Sequence, residues 1–451
     1  MQDIGPGVLG SKDRGTNMLP EYYEKFLAAI DELSPALHET FQTTITQLVS
    51  VVQQHGEAAL HMHLSSLLQK QEFIIQSLSN EKHLICGRYS TESTKTLLLF
   101  SHCPPHPDTF ARWSTFVTRL LTFAFYQKTI GSTPINIVWL IDTEEYSENG
   151  DAERRFITNN SSILQVNGCL YDLAERHVLP ARFLAFGTKG LLNIALEVQT
   201  ASIGHASTYG AIIPNAASRL LWALSSLKDA REEILVEDFY DTLIPMEDEE
   251  IELLRNLLDS EEALKHHLNV DQFLLQLRGF QLQYTYLLLP TCTVTSFFSD
   301  EAPSNKSHTI PFRAKATLDV YLVPNQEPDD IYTKIRKHLD TQGFQDIYTE
   351  VRVNTGPQYT PSHNPFMQVA IAAISAAYGE HFPLLPLMPQ HDACYSFRSQ
   401  LNIPVAFTQL GHTQSHIYKH ATSLEKEYAE HQTQFLINSM KHLAFIIEGI
   451  A

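Results

Sequence analysis

Between Leu19 and about Lys70 the apolar residues recur three and four positions apart, as in Phe26, Ile30 and Leu33 and again in Ile45, Leu48 and Val52. That spacing lines one face of a helix and predicts amphipathic helices packed on a sheet. The period then changes. FIIQSL, HLICGRYS and KTLLLFSH are short apolar runs of strand character; a helical stretch from about Phe110 to Gln127 follows, and then another buried run, INIVWLID. Strand, helix, strand order with nearly unbroken apolar strands predicts a mainly parallel sheet covered on both faces, with a functional crevice at the strand ends. Both TLLLFSH and NIVWLID end in polar residues.

A second unit begins near Gly187. GLLNIALEVQ reads as a strand, IPNAASRLLWALSSL as a helix, RAKATLDVYLVP as a strand and DDIYTKIRKHL as a helix, which is α+β order. Between about Glu232 and Gly279 a charged helical insertion contains MEDEEIELLRNLLDSEEALKHHL, and its acidic run predicts a solvated surface arm. After PQYTPSHNP come a helix (MQVAIAAISAAYG), a short strand (IPVAFTQLG) and a last helix from about Tyr428 to Ile447. No internal repeat interrupts this order. The predicted plan is one domain interrupted by another: a flexible Gly-rich tail over 1–19, the first domain over 20–186 and 358–451, and the interrupting domain with its insertion over 187–357.

A chain of 451 residues has room for two or three domains, and 43% hydrophobic residues with a mean hydropathy of −0.15 are those of a folded globular protein. No run approaches ~20 apolar residues, and MQDIGPGVLGSKDRG has neither a basic leader nor an apolar core, so export and membrane spanning are not expected. The five cysteines are scattered and form no CxxC pair, which suits a reduced cytoplasm. A net charge of −19 repels phosphate backbones and acidic lipid, arguing against nucleic acid and membrane surfaces as partners.

Chemistry concentrates at the strand ends, with His102 after KTLLLFS and the adjacent Glu144 and Glu145 after INIVWLIDT. Two neighbouring glutamates can divide labour, one binding a cation while the other takes a proton from a metal-bound water. Neither signal is specific alone, because paired glutamates on a loop are usually surface residues and a lone histidine is usually structural. Their order and spacing along the chain carry the reading.

Five segments in sequence resemble metallopeptidase family twenty, the group of aminoacylases, carnosine dipeptidases, carboxypeptidase G and succinyl-diaminopimelate desuccinylases. They are YDLAERHVLPARFLAFGTKGLLNIALEVQTASIGHAS, NAASRLLWALSSL, EDFYDTLIP, HTIPFRAKATLDVYLVPNQEPDDI and LGHTQSHIYKHATSLEKE. The resemblance, strongest to the dipeptidase branch, spans roughly residues 20 to 450. It implies an α/β catalytic domain, its mainly parallel sheet flanked by helices, interrupted by an α+β lid through which two copies dimerise. It further implies a metal-dependent hydrolase of peptide or N-acyl amide bonds acting on a small peptide-like or N-acylated substrate.

Carried over by position, His102, Glu145, Asp172 in CLYDLAERHVLP and His420 in YKHATSLE correspond to metal ligands, although His412 and His416 leave the last assignment open. Glu144 corresponds to the general base. Such donors suit Zn²⁺, or Co²⁺ or Mn²⁺, with two ions ~4 Å apart sharing a bridging carboxylate and a water. His205 in GHAS resembles the lid histidine that polarises the substrate carbonyl, often across the dimer interface. Asn215, Tyr321 and His391 fall at substrate-binding positions.

The chain also departs from the family. After His102 stand Cys103 and Pro104, where relatives place an aspartate that orients the ligands, and a proline cannot accept that hydrogen bond. The long loop that supplies the bridging aspartate is absent, leaving Asp108 as its substitute or, equally, as an ordinary helix N-cap. Tyr321 replaces an arginine that grips a substrate carboxylate, and PQHDACYS replaces a glycine-rich loop. These losses sustain a rival reading, a catalytically impaired member that binds or assembles. A nucleophile pair of His102 and Cys103 is disfavoured because neighbours on an extended segment point opposite ways.

Overall fold

The computed structural model describes residues 21–76, 83–105, 110–144, 151–160, 164–173, 182–244, 247–255, 257, 261–299, 308–392, 397–410 and 425–451. The tail predicted over 1–19 lies outside them.

Two helices come first, α1 (Glu21–Glu32) and α2 (Ser34–Gln69), the second bent at Gly56, whose φ of 73° is left-handed and suits only glycine without strain. Next come β1 (Ile74–Gln76), β2 (Leu84–Tyr89), β3 (Thr96–His102), α3 (Phe110–Thr129), β4 (Asn136–Asp142), α4 (Asp151–Asn160), β5 (Gly168–Asp172) and β6 (Phe183–Ala185). The second unit runs through β7 (Gly187–Gln199), β8 (His205–Ala206), α5 (Ala216–Leu227), α6 (Asp248–Arg255), α7 (Glu261–Leu268), α8 (Gly279–Leu288), β9 (Thr291–Ser299), β10 (Thr309–Ile310), β11 (Arg313–Leu322), α9 (Pro328–Thr341) and β12 (Tyr348–Thr355). The chain returns through β13 (Gln358–Tyr359), α10 (Pro365–Tyr378), β14 (Leu384–Leu385), β15 (Met388–His391), β16 (Val405–Gln409) and α11 (Glu425–Ile450).

The large sheet has the order β1-β2-β4-β3-β5-β16-β6-β14, with its centre, β4-β3-β5-β16, wholly parallel. Antiparallel pairs flank that centre, β2 on β4 and β16 on β6. Alternation along β3 explains its unbroken apolar run. Leu97 and Leu99 enter one core, with Phe26, Trp113, Phe116 and Leu436 of the helices, while Leu98 and Phe100 enter a second with Phe156, Leu254 and Leu288. Both faces are covered, as an α/β sheet requires.

The second unit is an antiparallel sheet in the order β12-β7-β11-β9. Ala314, Ala316, Leu318, Val320 and Leu322 alternate inward along β11 and pack with Leu220 of α5 and Ile331 and Ile335 of α9. Strand β7 joins the two units: its first residues pair with β13 and β15, and the rest lies at the heart of the second sheet. At Gly190 on this crossing a β-carbon would lie 2.5 Å from the Thr355 carbonyl oxygen, so the close approach of the outgoing and returning chain requires glycine.

The insertion is only in part the solvated arm its acidic run predicts: Glu247, Asp248, Glu249 and Glu252 face water, while its apolar side is buried. Leu254 and Leu257, with Leu287 and Leu288 of α8, belong to the second core of the large sheet. Glu250 is 0% exposed and accepts hydrogen bonds from the Tyr359 hydroxyl and from Ser362 N, while Glu247 meets His363 Nδ1 at 2.8 Å. Helix α6 thus turns carboxylates toward the returning chain, which supplies the donors a buried carboxylate needs. At the other end of the insertion, Lys189 Nζ donates to the carbonyls of Tyr286 and Leu289 at 2.9 and 2.6 Å, capping the C-terminal turn of α8.

Candidate active site

Because β3, β4 and β5 are parallel neighbours, their carboxyl ends lie along one edge of the sheet. His102 ends β3 directly opposite Asp142 at the end of β4, and Asp172 ends β5 opposite Thr408 of β16. His102 (7% exposed), Asp142 and Asp172 are all buried. The His102 Nε2 lies 2.8 Å from the Glu144 carbonyl oxygen and 3.7 Å from Asp142 Oδ2. Asp142 Oδ1 in turn accepts from Glu144 N at 2.9 Å, an Asx turn that fixes the start of the loop. A neutral imidazole that donates from Nε2 to a carbonyl carries its lone pair on Nδ1, the form able to ligate a cation.

Beneath Asp172 on the alternating face, Tyr171 stacks on Phe100 with ring centroids 4.3 Å apart and donates its hydroxyl to Asp392 Oδ1 at 2.6 Å. This buried pair ties the PQHDACYS segment to β5. Tyr321 and His391 also meet, their ring centroids 6.2 Å apart, because β11 and β15 both flank the first residues of β7. His205 sits in the second unit on the short β8–β10 ribbon, half-buried and paired with Ile310. Asn215 is the N-cap of α5, its side chain accepting from Ser218 N at 3.2 Å.

Asp108, Glu145 and His420 lie outside the described residues, as does Cys394. Among the described residues no three His, Cys, Asp or Glu side chains form a group able to hold a metal ion. His102 and Asp172 supply an imidazole and a carboxylate of the type zinc takes, and the remaining candidate ligands belong to the segments not described. Cys103 is wholly buried in the first core.

Asp142 is not among the residues singled out by the sequence, although DTEE holds a third carboxylate beside Glu144 and Glu145. Arg119 and Lys189 are likewise not singled out by the sequence, since a buried cation has no local signature. Arg119 is 3% exposed on α3 and Lys189 1% exposed on β7. Burial pushes the Lys189 ammonium down to about 7.

Residues 186–346 match the Peptidase dimerisation domain of the M20 peptidases. The Beta-Ala-His dipeptidase of Rattus norvegicus is 30% identical over 161 residues, 35% of this chain and 32% of that protein, and the Homo sapiens Beta-Ala-His dipeptidase is 27% identical over 160 residues, 35% and 31%. The chain thus spans about a third of the length of the curated relatives it matches. Among solved structures, an M20 family metallo-carboxypeptidase from Sulfolobus solfataricus superposes with a TM-score of 0.71 at 20% identity, covering 88% of this chain and 100% of the other. The di-peptidase Dug1p from Saccharomyces cerevisiae superposes with a TM-score of 0.68 at 15% identity, covering 95% and 98%. The chain thus shares the fold of these peptidase structures, and its second unit is similar to the dimerisation domain of the M20 peptidases.

Proposed function

We propose that the chain hydrolyses amide bonds of small peptide-like or N-acylated substrates in the crevice at the ends of β3, β4 and β5. The observation that carries this reading is the meeting of His102, Glu144 and Asp142 in one hydrogen-bonded turn at the strand edge where Asp172 also ends. In this reading His102, Asp172, Asp108, Glu145 and His420 hold one or two divalent cations, zinc by the chemistry of the donors. A bound cation of that kind acidifies a coordinated water and polarises a carbonyl.

The chain's own residues do the rest. Glu144 takes the proton of the attacking water and returns it to the leaving amine, and its main chain is held at both ends, N–H by Asp142 and carbonyl by His102. His205 stabilises the developing oxyanion from the lid, and Asn215, Tyr321 and His391 contact the substrate. Tyr321 offers a single hydroxyl where a forked cation would receive a carboxylate, which suits substrates whose end group is neutral.

The lid is proposed to pair two copies of the chain. Support comes from the dimerisation-domain match and from Leu221 and Trp222, exposed by 52% and 62% on the outer face of α5. A reducing, cytoplasmic setting is supported by the buried free thiols of Cys86, Cys103, Cys169 and Cys292. Among the described residues no helix is long and apolar enough to cross a membrane.

Elemental analysis of protein purified without chelator, beside Glu145→Ala and Asp108→Ala and with a panel of dipeptides and N-acyl amides, tests the proposal. Bound zinc that falls in both variants, together with amide hydrolysis by the parent chain, is the expected result. Protein that takes up no metal when zinc is supplied and cleaves no amide would overturn it in favour of a binding or assembly role.

A further inference from the structure

Arg119 reaches from α3 to the underside of the same strand edge. Its Nη1 donates to the Phe100 carbonyl at 2.6 Å and to the Ser101 hydroxyl at 2.9 Å, and Ser101 Oγ also accepts from the Trp139 indole of β4 at 3.1 Å. Phe100 and Ser101 are the two residues before His102. The Nη2 is buried and has no hydrogen-bond partner among the described residues. Burial works against the guanidinium's charge, and Asp172 is the group that most favours it, ahead of Cys169 and Cys103. From the other side, His442 of α11 is held neutral, its imidazole pushed down to about 3 by burial and then by Arg119. A desolvated guanidinium with a donor unused is costly to keep, and an apolar side chain would fill the same space without that penalty.

We propose that Arg119 is a positioning residue of the crevice, its guanidinium holding the main chain of β3 at Phe100 and Ser101 so that His102 is presented in one orientation at the strand end. The role follows from what stands after the histidine. Cys103 is turned into the core and Pro104 has no hydrogen-bonding side chain, and α3 and the Asp142–Glu144 turn each support the segment that carries His102. This inference rests on the reading of His102 as a residue of the proposed site.

The test uses the full chain labelled with ¹⁵N-histidine, the His102 ring signals being identified by their loss in His102→Gln. Arg119→Met, Arg119→Lys and Ser101→Ala are compared with the parent for melting temperature, His102 ring signals and zinc affinity by chelator competition. In folded Arg119→Met the His102 signals are expected to shift or broaden and zinc to bind about 10- to 100-fold more weakly, with partial recovery in Arg119→Lys. Ser101→Ala, which removes one partner without uncovering a charge, should move the same signals less. Unchanged His102 signals in folded Arg119→Met, or in Ser101→Ala if the methionine variant does not fold, would overturn the proposal. A parent chain that binds no zinc would sink the metal reading of the site, while the His102 signals would still decide the role of Arg119.

Discussion

Glu250 of the inserted helices and Tyr359 of the returning chain, 109 residues apart in sequence, share a partly buried hydrogen bond. The second carboxylate oxygen of Glu250 accepts from Ser362 N at 2.9 Å, so a single side chain satisfies two donors and holds the insertion to the returning chain. Glu250→Ala leaves the buried Ser362 N–H unmet and takes the acceptor from the partly buried Tyr359 hydroxyl, and is expected to destabilise the protein by about 2–4 kcal/mol, read from denaturant midpoints. Glu250→Gln, which still accepts one bond, should lose less.

Lys189 makes stability depend on pH with a definite sign. Its folded-state value of about 7 lies below the ordinary lysine value of 10.5, so between those limits the unfolded chain binds more protons than the folded one. Its contribution to stability is therefore smallest below about pH 7 and grows as pH rises toward 10.5, on the order of a few kcal/mol. The neutral amine keeps two N–H groups, enough for the carbonyls of Tyr286 and Leu289. Unfolding of Lys189→Met beside the parent chain from pH 7 to 10 should show the parent gaining on the variant, and parallel curves would refute this.

Asp142 is expected to matter for turnover more than for folding. Its carboxylate holds Glu144 N and faces His102, and Asp142→Asn keeps the shape while removing the charge. Hydrolysis of a responsive amide substrate should fall about 10- to 100-fold in kcat/KM, with little change in melting temperature.

Glu144→Gln separates proton transfer from metal binding. The main-chain contacts to His102 and Asp142 do not involve its side chain, so fold and zinc content should persist while kcat drops about 10²- to 10⁴-fold. Full retention of activity would remove Glu144 from the role of base.

The exposed face of α5 provides a test of assembly. Introducing Leu221→Glu together with Trp222→Glu places two charges on a surface now apolar, where a dimer would have to desolvate them. Light scattering should report dimers for the parent chain and monomers for the double variant, with circular dichroism unchanged.

Much of the architecture is legible along the chain because each element's pattern reflects what covers it. The near-continuous apolar character of KTLLLFSH and INIVWLID follows from a sheet buried on both faces, and the alternation in RAKATLDVYL from one buried on a single face. The polar residues that end those runs marked the strand edge, and His102 and Asp172 stand there. Within the acidic run Glu247, Asp248 and Glu249 face water as the composition predicts, whereas Glu250 turns to a tyrosine hydroxyl and an amide, a difference that residue type alone does not carry.

The order of helices and strands, the interruption of one domain by another and the chemical types at the strand ends are written in the chain, since period and residue type are local properties. Which charges are buried, and what each one holds, emerges in the folded molecule alone. Arg119 meets β3 across 18 and 19 positions, Lys189 meets α8 across 97 and 100, and Glu250 meets Tyr359 across 109. Burial of a charge depends on partners that distant in the chain, and no local pattern encodes them.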